Sequence, residues 1–496
     1  MELNKQVISG SFWSAASNIG AQAVNFAVTI ILARLLIPED FGVIAISSVI
    51  VGVITLFQDL GMGSAIIQKK EIDEDHLATS FSVSVVTGLV IAALVIGISP
   101  IVASFYGKSI LKSIIMVYSI GFVLSPLVSI HNSILTKNLE FKKIGILNVL
   151  NQVLSGGISV ILALTNFGVW SLVLGKLVAQ SMMIPVYWKT AKWIPKFRFR
   201  KSCFQDLFSF SSSLLGFNIL NYFSRNFDNL VVGKYLGATT LGYYSVAYNL
   251  MLKPLELISW SVGRVLFPAF SRIQDEKERI RATYLKILRA ISIVTFPMMT
   301  GLMIVAREFI LTFYGGRWEP VVVPLQLLCI VGALQSIGTT GGVIILSQGR
   351  SDLILKLGLF NAVVMLSAFL IGVRWGLIGL IVAYMAASVP VLFIGQYFAN
   401  RLIDMNIRAF FESLLPAFVC SACMAAVLGG TKYFGLNAIH ISSLLVLTIL
   451  VPGGMAIYFA LLTKYFPSGE LREISSIIAS KINPDSLISN KEGMIP

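Results

Sequence analysis

The chain has 496 residues, 56% of them hydrophobic and only 12% charged, with a mean hydropathy of +0.83. Soluble domains carry about 25% charged residues, so this composition excludes an ordinary soluble protein and defines an integral membrane protein. The net charge of +14 is not a nucleic-acid signal either, because no basic face interleaves with aromatics on a soluble domain.

A bilayer span needs about 20 apolar residues, and backbone groups in lipid must be satisfied within the segment. The long apolar runs are therefore helices, and the period-2 alternation of a membrane barrel is absent. The expected fold is an all-α integral membrane protein of about fourteen transmembrane helices. The first six spans lie near 11–36, 41–66, 79–104, 110–135, 144–164 and 168–188. The next six lie near 206–236, 240–268, 283–312, 320–346, 352–372 and 376–400, and two more near 408–432 and 439–464. No cleavable signal peptide is expected: the n-region offers only Lys5, and Ala21-Gln22-Ala23 lies mid-span, where helix packing explains it. The polar tail after Phe466, with Pro467, Pro484 and Pro496, is expected to be cytoplasmic and partly disordered.

Positive charge favours the cytoplasmic side. With the N-terminus inside, inner loops and ends hold 25 lysines and arginines against 8 outside. The outer eight are Arg34, Lys108, Lys112, Lys234, Arg307, Arg317, Arg374 and Lys432. Both termini are therefore expected in the cytoplasm. The longest basic run, Lys189 to Lys201 (KTAKWIPKFRFRK), joins spans 6 and 7. Contact with anionic lipid explains it at about 1 kcal/mol per residue near the surface; recruitment of a partner or anionic substrate is the alternative.

The chain repeats itself. At an offset of 200, Ser11 falls on Ser211, Asn18-Ile19 on Asn218-Ile219, Arg34 on Lys234, Leu36 on Leu236 and Gly42 on Gly242. Phe105-Tyr106-Gly107 answers Phe313-Tyr314-Gly315, Asn148 answers Asn361, and Gly168 answers Gly376. The shared order predicts two six-span halves. The expected division is an N-terminal lobe (1–188), a basic linker (189–204), a C-terminal lobe (205–402), two extra spans (403–465) and a tail (466–496).

Few charges remain inside the spans, and an ionised group there costs roughly 3 kcal/mol or more on insertion scales, so each needs a wet cavity or a partner. Lys176 lies in span 6, Arg225 and Asp228 in span 7, Lys253, Glu256 and Arg264 in span 8, and Asp59 near a cytoplasmic span end. Asn218, Asn221 and Arg225 share one helical face, and Asn18, Gln22 and Asn25 form the matching face of span 1. Two readings stand side by side. Arg225 with Asp228, and Lys253 with Glu256, are structural ion pairs, while the amides hold helices together. Alternatively, spans 1 and 7 face a central cavity made cationic by Arg225, Lys176 and Lys253. Asp59, Asp228 and Glu256 would then neutralise it or bind a coupling proton or Na⁺. A guanidinium matches phosphate oxygens in a forked geometry.

Enzyme templates fail. There is no Walker-A loop and no HExxH, and His76, His131 and His440 are too dispersed for a metal or acid–base set. Cys420 and Cys423 lie in an apolar helix with no second ligand pair, so packing explains them. No cofactor and no metal are expected.

The segments ILARLLIPEDFGVIAISSVIVG (31–52), FQDLGMGSAIIQKKE (57–71) and FDNLVVGKYLGATTLGYYSVAYNL (227–250) resemble those of Wzx-type polysaccharide flippases. The likeness is to the colanic acid and teichuronic acid exporter branch of the multidrug, oligosaccharidyl-lipid and polysaccharide exporter superfamily. It covers about residues 5–465. It implies two six-helix lobes forming a V, with spans 1 and 7 lining a central groove, and two C-terminal helices beside them. It implies a bacterial plasma membrane. The implied substrate is an undecaprenyl-pyrophosphate-linked oligosaccharide repeat unit, carried from inner to outer leaflet by alternating access. A polysaccharide polymerase and chain-length machinery are the partners such a role would meet. The alternatives are a cation-coupled drug antiporter of the same superfamily, a flippase for another lipid-linked glycan, and a membrane polymerase.

Overall fold

The computed structural model describes the backbone of residues 2–58, 62–69, 71–436 and 442–465. Side chains are not described at 2–12, 56–58, 207–221, 223–224, 257, 259–265, 435–436 and 465. Its contacts divide the chain into two compact units, Met1–Gly242 and Tyr243–Pro496. All regular structure among the described residues is helical.

The first unit holds α1 (Glu2–Leu35), α2 (Pro38–Gln58), α3 (Met62–Gln68), α4 (Glu74–Tyr106), α5 (Ile110–Leu124), α6 (Pro126–Lys137), α7 (Phe141–Leu164), α8 (Trp170–Ala191) and α9 (Lys201–Tyr235). Small residues let these helices approach closely, the usual device where lipid removes the hydrophobic drive between spans. A Cβ on Gly145 of α7 would stand 2.7 Å from the Ser17 side chain of α1, and one on Gly156 2.4 Å from Val28. One on Gly175 of α8 would stand 2.0 Å from Ser159 Oγ of α7. Asp73 caps α4 by accepting the His76 amide at 2.9 Å, and Gly107 ends the same helix in the left-handed conformation, φ 64°.

The segment expected as one span over 110–135 is α5 plus α6, bent by 43°. Pro126 causes the break. It has no N–H for the Phe122 carbonyl and clashes with the preceding turn. Gly88 of α4 fills the opening: a Cβ there would lie 2.4 Å from Phe122 O.

The second unit completes α10 (Gly237–Leu257), whose first residues belong to the first unit. It continues with α11 (Ser259–Arg272), α12 (Lys277–Phe309), α13 (Val322–Ser347), α14 (Ser351–Gly372), α15 (Gly376–Leu402), α16 (Ile407–Gly430) and α17 (Ser443–Tyr465). α12 packs on α13, α16 and α17, and α13 and α14 pack on α15. One cluster, including Tyr284, Ile344, Ala399, Phe410 and Leu450, forms the core of this bundle. A buried polar chain crosses it: the Tyr284 hydroxyl donates to Gln396 Oε1 at 3.1 Å, and Gln396 Nε2 donates to Asn400 Oδ1 at 2.5 Å.

Among the described residues, nine helical segments are long and apolar enough to cross a membrane, or ten with the bent pair as one span. One of the nine, 351–402, contains both α14 and α15, which pack on each other. The chain is a multi-pass membrane protein.

Candidate functional site

The polar face expected on the first span lies on α1. Asn18 and Asn25 are exposed and Gln22 half-buried. Asn25 is also tied to a neighbour, since Gln152 Nε2 of α7 donates to its Oδ1 at 3.1 Å. That bond joins α1 to α7, so Asn25 serves helix packing whatever else it touches.

The matching helix is α9. By sequence it opens the C-terminal lobe; it packs on α2, α3 and α4, within the first compact unit. At its start Lys69 Nζ donates to Asp206 at 2.8 Å. Midway, the Tyr222 hydroxyl meets the Ser48 and Val49 carbonyls at 3.2 and 3.1 Å, and Gly52 makes room for it, because a Cβ there would lie 1.9 Å from Tyr222 Oη. One turn on, Arg225 is exposed and Asp228 is 3% exposed. Asp228 Oδ1 accepts the Asn229 amide at 2.8 Å. The side chains of Asn218 and Asn221, and residue Asp59, lie outside the described residues.

The end of α9 runs into a crossing of backbones. A Cβ on Gly42 would stand 1.7 Å from the Ala238 carbonyl oxygen, and one on Gly242 1.9 Å from that of Pro38. The contact is reciprocal under the offset of 200: residue 42 meets 238, and 242 meets 38. Such reciprocity is what a two-fold axis between equivalent surfaces produces, here between the two sequence repeats. Around it, Lys108 pairs with Glu39 at 2.5 Å, Lys234 donates to the Phe105 carbonyl, and Gly233 lies against Ile46 and Tyr106. The alignment of Gly42 with Gly242 was visible in the sequence; that the two segments touch was not.

Lys253 and Glu256 pair within one turn of α10 at 2.9 Å, with side chains 31% and 23% exposed. Lys176 is exposed on α8. Sequence distance hid another cluster. Asp73, His76 and Cys203 bring ligand-type atoms within 4.8 Å of one another. Both His76 nitrogens already have partners there, Nδ1 with Asp73 Oδ1 at 2.6 Å and Nε2 with Lys69 Nζ at 2.7 Å. This is a hydrogen-bonded knot between the start of α4 and the end of α3.

The described amides, cations and carboxylates singled out from the sequence lie on separate helices, with Asn18, Gln22, Asn25, Lys176, Arg225 and Asp228 in the first unit and Lys253 and Glu256 in the second. The structure resembles that of the lipid II flippase MurJ in its inward closed conformation, with a TM-score of 0.75 at 17% identity, covering 91% of this chain and 98% of that one. Residues 31–323 match the family described as polysaccharide biosynthesis protein. The lipopolysaccharide biosynthesis protein WzxC of Escherichia coli (strain K12) is 30% identical over 446 residues, 87% of this chain and 90% of the relative. The teichuronic acid biosynthesis protein TuaB of Bacillus subtilis (strain 168) is 28% identical over 94% of this chain and 97% of its own. The chain belongs to the polysaccharide biosynthesis protein family.

Proposed function

We propose that this protein moves undecaprenyl-pyrophosphate-linked oligosaccharide repeat units from the inner to the outer leaflet of a bacterial plasma membrane, for surface polysaccharide synthesis. The observation that carries the proposal is near full-length similarity to relatives named for lipopolysaccharide and teichuronic acid biosynthesis. A fold shared with a lipid II flippase supports it.

The physics of the cargo fits. Its lipid tail stays in hydrocarbon, while the pyrophosphate and sugars need a hydrated path. Arg225, Lys176 and Lys253 are the cations assigned to the pyrophosphate, and Arg225 leads because its guanidinium can grip two oxygens at once. Lys253, paired with Glu256 at 2.9 Å, keeps further N–H donors for a phosphate, since an ammonium carries three. The amides of Asn18, Gln22, Asn25, Asn218 and Asn221 are assigned to sugar hydroxyls. Asp59, Asp228 and Glu256 are assigned to charge neutralisation or to coupling with a proton or Na⁺. Alternating access of two lobes around a central groove delivers the cargo, as in other repeat-built transporters. Both termini lie in the cytoplasm, and a polymerase receives the product.

Deleting the gene in its native host tests this. Loss of surface polymer with build-up of single undecaprenyl-pyrophosphate repeat units, read by mass spectrometry, is expected, and the accumulated lipid identifies the sugar. An unchanged lipid-linked pool with intact polymer, in a host with no second flippase gene, would overturn the proposal.

A further inference from the structure

The basic segment between α8 and α9 is extended, with no helix over residues 193–200. Successive side chains of an extended strand point to opposite sides, and here the two sides differ in chemistry. One carries Lys196, Arg198 and Arg200. These turn onto the start of α4: Lys196 pairs with Glu74 at 2.5 Å, and Arg198 and Arg200 each take one oxygen of Asp75 at 2.7 Å. The backbone is fastened to the same helix. The Arg198 amide donates to Ser82 Oγ at 3.0 Å, and the Arg200 amide to Thr79 Oγ1 at 3.1 Å. The other side carries Phe197 and Phe199, which are 75% and 59% exposed; Ile194, in phase with Lys196 but separated from it by Pro195, is itself 74% exposed. Three of the six cations in the run are thus spent on the protein, while Phe197 and Phe199, which meet the rings of Phe81 and Phe204 at 5.3 and 6.0 Å between centroids, leave most of their surface uncovered.

The height of the strap on α4 says what meets those groups. Residues 77–106 of that helix contain no charged side chain, and the strap bonds to residues 79 and 82, the first two turns of that run. At 1.5 Å per residue, the run spans about 45 Å, which matches a bilayer with its headgroup zones. Its first turns therefore lie in the inner headgroup region. Both ends of the strap continue into helices expected to cross the membrane, α8 and α9. Trp188 and Trp193, stacked and tilted on His131, stand at the same end, as in an interfacial aromatic belt.

We propose that residues 194–199 form a strap lying in the inner membrane–water interface. Ile194, Phe197 and Phe199 insert among the lipid chains, while Lys196, Arg198 and Arg200 hold the strap to α4. The contact with lipid is apolar, so it does not require anionic headgroups.

Photo-crosslinking of the full-length protein in lipid nanodiscs tests this. p-Benzoylphenylalanine is placed at 197, at 199 and, as a third independent position, at 194. Glu278, with its side chain 93% exposed in a charged stretch, is the solvent control. Phospholipid adducts several-fold above the control at all three positions are expected. The yield should be equal in purely zwitterionic discs and in discs containing anionic lipid. Adduct no higher than at 278 would overturn the proposal in favour of an aqueous strap. Adduct to another polypeptide in native membranes would overturn it in favour of a protein partner. A lipid adduct that appears only with anionic lipid would return the contact to the lysines and arginines.

Discussion

Gly42 and Gly242 leave no space for a side chain: an added Cβ would fall 1.7 and 1.9 Å from a carbonyl oxygen of the opposing repeat. Carbonyls cannot yield as a flexible side chain can, so Gly42→Ala or Gly242→Ala must push the crossing apart. Overpacking of this kind costs about 1–3 kcal/mol. Either variant is expected to lower the thermal midpoint of the purified protein, and an unchanged midpoint would show that the crossing is not tightly held. Arg225 makes a different prediction. A charged hydrogen bond is worth about 1.5–3 kcal/mol, so Arg225→Ala should slow transport about ten- to a hundredfold, with Arg225→Lys between. Normal transport by both variants would remove Arg225 from the binding role. Asp73 adds a pH dependence. The His76 amide, then the His76 ring, holds its carboxyl below the usual carboxylate range. A folded pKa lowered in this way stabilises above the unfolded value, and the contribution is lost as the pH falls through the lowered value. Asp73→Asn should abolish that acid-side part of the stability profile while still capping α4, measured as the midpoint against pH.

Among elements, what could be read depended on whether the cause was local. The expected spans are helices wherever they are described, because length and apolarity set them. Pro126 breaks span 4 through its own missing N–H, so the kink was local in origin, yet the apolar run continues through it and masks it. The ion pairs of 196–200 required knowing that Glu74 and Asp75, more than a hundred residues away in sequence, lie alongside. For the same reason, the sequence leaves Asn25 open between helix packing and a cavity face, and only the fold shows its bond from Gln152. Hydrogen bonds between membrane helices average about 0.6 kcal/mol in double-mutant cycles. Asn25→Ala and Gln152→Ala are expected to couple at about that size in a stability cycle. If transport falls far more for Asn25→Ala than for Gln152→Ala, Asn25 also contacts cargo.

At the scale of the whole chain, composition alone identified a membrane protein, and the resemblance of residues 31–52, 57–71 and 227–250 pointed to the family that the 31–323 match establishes. The repeat of 200 proved informative beyond counting spans, since its aligned glycines meet at one crossing. Helix α9 fastens to α2, α3 and α4 through Asp206, Tyr222 and Gly233, and the compact units part at Gly242 and Tyr243. Hydropathy reports burial in lipid and carries no information on which neighbouring helix a span chooses. The central claim is movement of a lipid-linked glycan between leaflets, and one measurement reaches it directly. The purified protein is reconstituted into sealed liposomes loaded with the host's lipid-linked repeat unit, and a membrane-impermeant glycosidase is added outside. With the protein present, cleavage should proceed past the outer-leaflet fraction to nearly all of the lipid; protein-free liposomes should stop at that fraction. Cleavage that stops at the outer leaflet with folded protein present would contradict the account.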